Sequence, residues 1–288
     1  MDYAVVVIIE VLYAISVLAL ISAGLAVIFG MMRVINLAHG EFLVLGSYAA
    51  IFSNRYGVPI YLAILVAAPL AGAVWGFIVE RLIVRWLYGR LINTMLATWG
   101  LSLAMMGAFV MIFGNTQTGI SAPIAGFTVG AYQINGYNLF IIAMAIVVMA
   151  GLYAVMKGTR AGLVARAAMQ RPDMAQAFGY NTSQVYMWTF VAGSALAGLA
   201  GGILTPIFGA IPSGGANYIA KAFITVITGG ASVVSGTLAS ASILGLVYQI
   251  FTFLSTSVVG EIALLIAAVV LLRILPTGIT GRFLRNRV

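Results

Sequence analysis

Cysteine is absent from all 288 residues, which rules out disulfides and thiolate metal sites. Charge is almost absent too: 7% of the residues are charged, where a typical soluble domain carries about 25%. A soluble protein of this length needs a charged surface that this chain has no residues to build, and nothing in it supports a separate soluble domain. There is one histidine, His39, so no second imidazole or thiol exists to share a metal ion with it. The chain has no Gly-x-x-x-x-Gly-Lys-Ser/Thr phosphate loop and so cannot use ATP that way by itself. Neither a Gly-x-Ser-x-Gly elbow nor a His-Glu-x-x-His helix occurs, and no two carboxylates lie close in sequence. No catalytic residue and no metal site is expected, and the chain is not expected to be an enzyme.

What is present is apolar length. Hydrophobic residues make up 63% of the chain. No charge occurs from Leu91 to Met156, from Met174 to Ala220 or from Ala222 to Gly260. A membrane-spanning helix needs about 20 mostly apolar residues, and strand-like alternation is missing, so a polytopic helical bundle is expected rather than a β-barrel. The apolar runs place spans at about 11–30, 37–53, 60–80, 93–113, 138–156, 184–208, 218–235, 238–256 and 261–275. Two of these are weak, 37–53 because it is short and 218–235 because it holds Lys221 and Gly229-Gly230. Eight or nine spans in one transmembrane domain over residues 1–288 are therefore expected. The opening Met1-Asp2-Tyr3 has no basic region, which argues for a retained first span rather than a cleaved signal peptide.

The net charge of +8 would suggest nucleic acid as a partner of a soluble protein. Here the basic residues sit in a few loops and read as topology signals, so no nucleic acid is expected. Arg81, Arg85 and Arg90 mark one cytoplasmic loop, Lys157, Arg160, Arg166 and Arg171 a second, and Arg282, Arg285 and Arg287 the tail. The uncharged loop from Gly114 to Tyr137 suits the opposite side. With nine spans this places the C-terminus in the cytoplasm and the N-terminus outside, with Arg55 as the exception. Glu10 and Glu261 then fall near outer span ends and read as solvated. Glu80, at an inner end beside Arg81, reads as a partner for the loop arginines. In the sixth span, Gly193, Ala197 and Gly201, with Gly198 and Gly202, give small-xxx-small spacing for close helix packing, within this chain or against another subunit.

Two polar segments stand out. Arg33-Val-Ile-Asn-Leu-Ala-His-Gly-Glu41 lies between the apolar stretches Ala14–Phe29 and Phe42–Phe52. Polar groups at membrane depth mark a pathway or a tight helix contact. Asn36, His39, Gly40 and Glu41 are candidates for lining a path, with helix knitting by hydrogen bonds as the alternative. Glu41 could also be solvated, or paired with Arg33. Thr98 and Trp99, early in the fourth span, could add a hydroxyl and an indole N–H to such a path; an interfacial belt is the other reading of Trp99. The second segment, about 157–181, is too polar to span. Pro172 and Asp173 suit the first turn of a short helix at about 172–178, Gly179 its stop, and Thr182 or Ser183 the cap of the next span. Met174, Ala177 and Phe178 would be available for docking.

The run Phe29-Gly-Met-Met-Arg-Val-Ile-Asn-Leu-Ala-His-Gly-Glu-Phe-Leu-Val-Leu-Gly-Ser-Tyr48 strongly resembles the membrane subunits of branched-chain amino-acid ABC importers, whose hallmark is Asn-x-Ala-His-Gly-Glu. Arg166-Ala167…Met174-Ala175…Gly179 resembles their ATPase-coupling segment. Gly229-Gly230…Gly236 and Leu275-Pro-Thr-Gly-Ile-Thr-Gly281 also match, in the same order over nearly the whole chain. The resemblance implies that Arg166, Ala167, Asp173, Met174, Ala175, Phe178 and Gly179 form the ATPase contact. It implies as partners a second homologous permease subunit, two cytoplasmic ATPases carrying ATP and magnesium, and a periplasmic binding protein, in a bacterial inner membrane, with no cofactor in this chain. Leu87-Tyr-Gly-Arg90 followed by Leu96-Ala-Thr-Trp-Gly-Leu-Ser-Leu103 is similar to the urea-type branch, although Leu91-Ile-Asn93 stands where that branch usually has a proline and an acidic residue. Urea or a short amide is the expected substrate and branched-chain amino acids the runner-up. A self-sufficient channel or secondary carrier is the alternative of another class; it would not need the 166–179 segment.

Overall fold

A computed structural model describes residues 2–130, 132–230 and 232–284, so Arg285 and Arg287 of the tail lie outside the described residues. The helices are α1 (Asp2–Met32), α2 (His39–Arg55), α3 (Ile60–Leu82, with one π-helical turn at Ala63–Ala67) and α4 (Leu91–Phe113). After a small hairpin come α5 (Tyr137–Gly158), α6 (Arg160–Gln170), α7 (Pro172–Ala177), α8 (Thr182–Phe208) and α9 (Gly215–Gly229). The chain ends in α10 (Val233–Leu254), α11 (Ser257–Ile274) and α12 (Gly278–Leu284).

Seven helices among the described residues are long and apolar enough to cross a membrane. The two expected spans that fall short are the two weak ones. α2 has 17 residues and α9 has 15; at about 1.5 Å per residue both stop short of the roughly 30 Å hydrocarbon core. The hairpin, Phe127–Val129 paired antiparallel with Tyr132–Ile134, lies in the uncharged loop from Gly114 to Tyr137. Its strands have three residues each, too short to show alternation, and its turn uses Gly130 at φ +59°.

The chain divides into two compact units. One comprises Ala23–Ser121 and Gly151–Ala220. Its centre is α8 laid against α2 and α3, and glycine makes the approach possible. A Cβ on Gly46 would come within 2.5 Å of the Gly198 Cα, one on Gly201 within 2.9 Å of the Leu43 Cα, and one on Gly193 within 2.7 Å of the Gly24 carbonyl oxygen. The Ser47 Oγ, between the α2 and α8 backbones, lies 3.0 Å from the Gly201 carbonyl. The small-residue spacing of the sixth span is thus used within this unit. The loops after α4 and α8 are joined by a two-way backbone bridge between Thr118 and Ala210, and the Gln117 amide donates to the Phe208 carbonyl at 2.8 Å.

The other unit comprises Met1–Ser22, Ala122–Ala150 and Lys221–Val288. Here the two late motifs meet. Gly229-Gly230 packs on Gly236 and Gly278, and the Thr280 hydroxyl donates to the Gly229 carbonyl at 2.7 Å while accepting from the Ser232 N–H at 3.2 Å. Both span-end carboxylates are bonded, Glu10 in a half-buried place and Glu261 in an exposed one where water also reaches it. Glu10 accepts from the Asn138 amide at 3.1 Å, and Glu261 pairs with Lys221.

Candidate functional site

The first polar segment forms a turn between α1 and α2, and it is buried except for exposed Arg33 and half-buried Leu37. α1 ends at Arg33, which takes φ +51°, a left-handed conformation costly for a residue with a Cβ. Asn36 then folds the chain back: its side-chain oxygen accepts from the Ala38 N–H at 3.1 Å, and its carbonyl accepts from the His39 N–H at 3.3 Å. This is an Asx turn, a local bonding pattern that asparagine favours. The Ala38 carbonyl accepts the first helical bonds of α2, from Glu41 and Phe42. Thr98 fastens the turn to α4. Its hydroxyl accepts from the Leu37 N–H at 3.1 Å and donates to the Thr94 carbonyl at 2.8 Å, and the residue is fully buried.

The rest of the block packs closely. The His39 ring lies against Gly24, where a Cβ would stand 3.1 Å from the ring. A Cβ on Gly40 would come within 2.9 Å of the Gly215 Cα. The Glu41 carboxylate covers Gly215 and accepts from the Ser102 hydroxyl at 3.2 Å; Glu41 is 2% exposed, so it is neither solvated nor paired with Arg33. Two polar atoms of the block, the Asn36 Nδ2 and the Glu41 Oε2, are buried with no hydrogen-bond partner among the described residues. Such atoms cost free energy in a folded protein and are few.

Trp99 does not join this group. It is 56% exposed, about 100° around the helix from buried Thr98, and so faces outward as a belt residue would.

The second polar segment is two helices rather than one. Arg171 breaks them with an extended backbone (φ −145°, ψ 85°), because the residue before a proline is held out of the helical region. α6 is capped by Thr159, whose hydroxyl accepts from the Gly162 N–H at 3.1 Å, and the Arg166 guanidinium reaches back to the Gly162 carbonyl at 3.3 Å. α7 is the expected short helix and carries Asp173 in its first turn. Gly179 follows at φ +85°, the left-handed stop that glycine tolerates. The cap of α8 is Asn181, which accepts from the Gln184 N–H at 3.2 Å, and not Thr182 or Ser183. Thr182 instead accepts from the Gln176 amide at 2.7 Å, tying α7 to the start of α8.

The faces of α7 differ. Met174 and Phe178 are exposed, Phe178 at 81%, and Asp173, Ala167 and Gly179 are open as well. Ala175 is 4% exposed and belongs to the inward face. Glu80 likewise differs from expectation. Its partner is the Tyr88 hydroxyl, which donates to Oε1, and not an arginine. Burial, and then the adjoining Glu80 carboxylate, push the Tyr88 phenol well above its usual pKa, so it remains a donor at any ordinary pH.

Comparison with known proteins adds the family. The model described as branched-chain amino acid transport system / permease component matches residues 7–275. The high-affinity branched-chain amino acid transport system permease protein LivH of Escherichia coli K12 is 30% identical, over 93% of this chain and 92% of its own. The corresponding protein BraD of Pseudomonas aeruginosa is 28% identical over 93% and 92%. The probable branched-chain amino acid transport permease protein LivH of Methanocaldococcus jannaschii is 27% identical over 92% and 89%. No solved structure matches the chain. Each of these relatives is described as a branched-chain amino acid permease and none of them as a urea permease.

Proposed function

The chain belongs to the branched-chain amino acid permease family, and on that premise we propose that it is the membrane-spanning subunit of an ATP-driven importer for branched-chain or similar apolar amino acids. It works in the inner membrane with the Arg81–Arg90 loop, the 157–181 segment and the C-terminus in the cytoplasm. A second permease subunit, two ATPases and a binding protein complete the assembly. One observation carries this reading. α7 presents Met174 and Phe178 outward, is bonded through Gln176 to Thr182 at the foot of α8, and α8 packs by glycine contacts on α2, the helix that begins at the signature turn.

That connection supplies what coupling needs. Closure of the ATPases moves α7; α7 moves α8; α8 cannot shift without α2, because backbone lies against backbone at Gly46 and Gly198. ATP then selects between access states through its different affinity for the two arrangements. The Asn36 Nδ2 and Glu41 Oε2, buried without partners among the described residues, are the groups we assign to a passing solute's carboxylate and ammonium. The test is uptake by proteoliposomes holding the full complex and its binding protein. Expected is ATP-dependent accumulation of leucine, competed by valine and indifferent to urea. Urea accumulation, or leucine flux without the ATPases, would overturn the reading.

A further inference from the structure

A small polar cavity of about 90 Å³ opens at the foot of α3 and α8, lined by Glu80, Arg81, Arg85, Asn181, Ser183, Gln184 and Met187. Three kinds of recognition converge there. Arg81 and Arg85 supply two cations, and the first turn of the 27-residue α8 supplies the positive end of a helix, which together suit a phosphate. Against them stands Glu80, 0% exposed, with Oε1 held by Tyr88 and Oε2 without a partner among the described residues. A buried carboxylate oxygen beside two arginines, bonded to neither, calls for a further donor, and a charged one satisfies it best. The Tyr88 ring sits edge-on to Tyr186 of α8 (centroids 5.3 Å apart), which holds the carboxylate in place. A ligand fitting all three carries a phosphate and, close by, an ammonium.

The surface beside the cavity says where that ligand comes from. Leu70, Val74 and Phe77 form an exposed apolar stripe on α3, spaced four and three residues apart, and the stripe ends at Arg81, whose guanidinium lies 5.4 Å from the Phe77 ring. Trp86 and Trp188 are exposed nearby in sequence, on the turn after α3 and on α8. Charge set over an apolar stripe, with tryptophan at the level of the charge, is the outline of a phospholipid. We propose that this cavity binds the headgroup of a phosphatidylethanolamine in the leaflet that meets the Arg81–Arg90 loop. Its phosphate sits on Arg81, Arg85 and the start of α8, its ammonium on the Glu80 Oε2, and an acyl chain lies along Leu70, Val74 and Phe77. Since α7 is bonded to the same first turn of α8, the lipid would steady the element that receives the ATPase stroke.

Native mass spectrometry of the purified full-length chain, titrated with defined lipids, tests this. Phosphatidylethanolamine should bind about tenfold tighter than phosphatidylcholine, which lacks N–H donors, the scale of one charge-assisted hydrogen bond. Glu80→Gln keeps an acceptor for Tyr88 and should bring the two lipids within about twofold. Arg81→Gln, at an exposed position that folding tolerates, should weaken both lipids together. Equal binding of the two lipids by the unaltered chain, or an unchanged preference in Glu80→Gln, would overturn the proposal. So would full competition by soluble phosphoethanolamine, which would make the ligand a free metabolite. Loss of the lipid on adding the ATPase would also overturn it, by making the cavity part of that protein contact.

Discussion

The signature turn and the α6–α7 segment are the two polar islands of an apolar chain, and they are handled in opposite ways. In the turn, Asn36, Thr98 and Glu41 are buried and each bonds within the chain, while the Asn36 Nδ2 and Glu41 Oε2 have no partner among the described residues. In the segment, polar groups cap helices while apolar Met174 and Phe178 stand exposed. In lipid an unsatisfied backbone group is costly, so a break between two membrane helices must be closed by side chains. At a membrane surface water closes it, and exposed Met174 and Phe178 are the face that the proposed ATPase contact would use. Burial of the polar and exposure of the apolar are thus both departures from the default, and both point to function.

Substitutions can break this contrast. The largest effect is expected at the backbone contacts of the buried island. Gly198→Leu or Gly40→Val would drive a side chain into the backbone of Ala68 and Gly72, or of Gly215, where no flexible atom can yield. Overpacking there should cost about 3 kcal/mol or more, read as loss of monodisperse protein in detergent. Next comes the pair Ala175→Glu and Met174→Glu. The first buries a charge and should lower the melting temperature of the permease itself, by an unpaired-charge penalty of several kcal/mol. The second should leave the melting temperature unchanged but cut ATPase co-purification and transport at least about tenfold.

Smaller effects sharpen the comparison. Thr98→Val strands the Leu37 N–H in the interior, which should cost about 1–3 kcal/mol and show as a melting temperature lower by several degrees. Trp99→Phe, one residue away on the outward face, should change stability by no more than about 0.5 kcal/mol. Equal losses from Thr98→Val and Trp99→Phe would put both on the same face and contradict the described geometry.

Much of this was legible from residues alone. The apolar runs locate the helices, and even the two short ones, α2 and α9, are marked by a brief run and by Lys221 with Gly229-Gly230. Pro172 and Gly179 delimit α7 because proline and glycine act through their own backbone. Facing is harder to read. Thr98 and Trp99 are neighbours in sequence on different faces, and in a helix apolar all round no periodicity says which face is inward. Ala175 illustrates the same gap, since a small residue suits an inward face as well as a docking surface. The Glu80–Tyr88 bond was missed because the adjacent arginine looked like the better partner, yet helix geometry turns it away. The carboxylate's burial is the signal that could have found it, and that is a tertiary fact.

The central claim, that ATP-driven motion enters through the outward face of α7, can be tested most directly by cross-linking, and the absence of native cysteine gives a clean background. Single variants Met174→Cys, Phe178→Cys and Ala175→Cys would each be treated with a short thiol-to-amine cross-linker in membranes containing the whole complex. Cross-links to the ATPase from positions 174 and 178, changing in yield when ATP is added, with none from 175, are the predicted result. Cross-links from 175 but not from 174 or 178, or none from any of them, would contradict it.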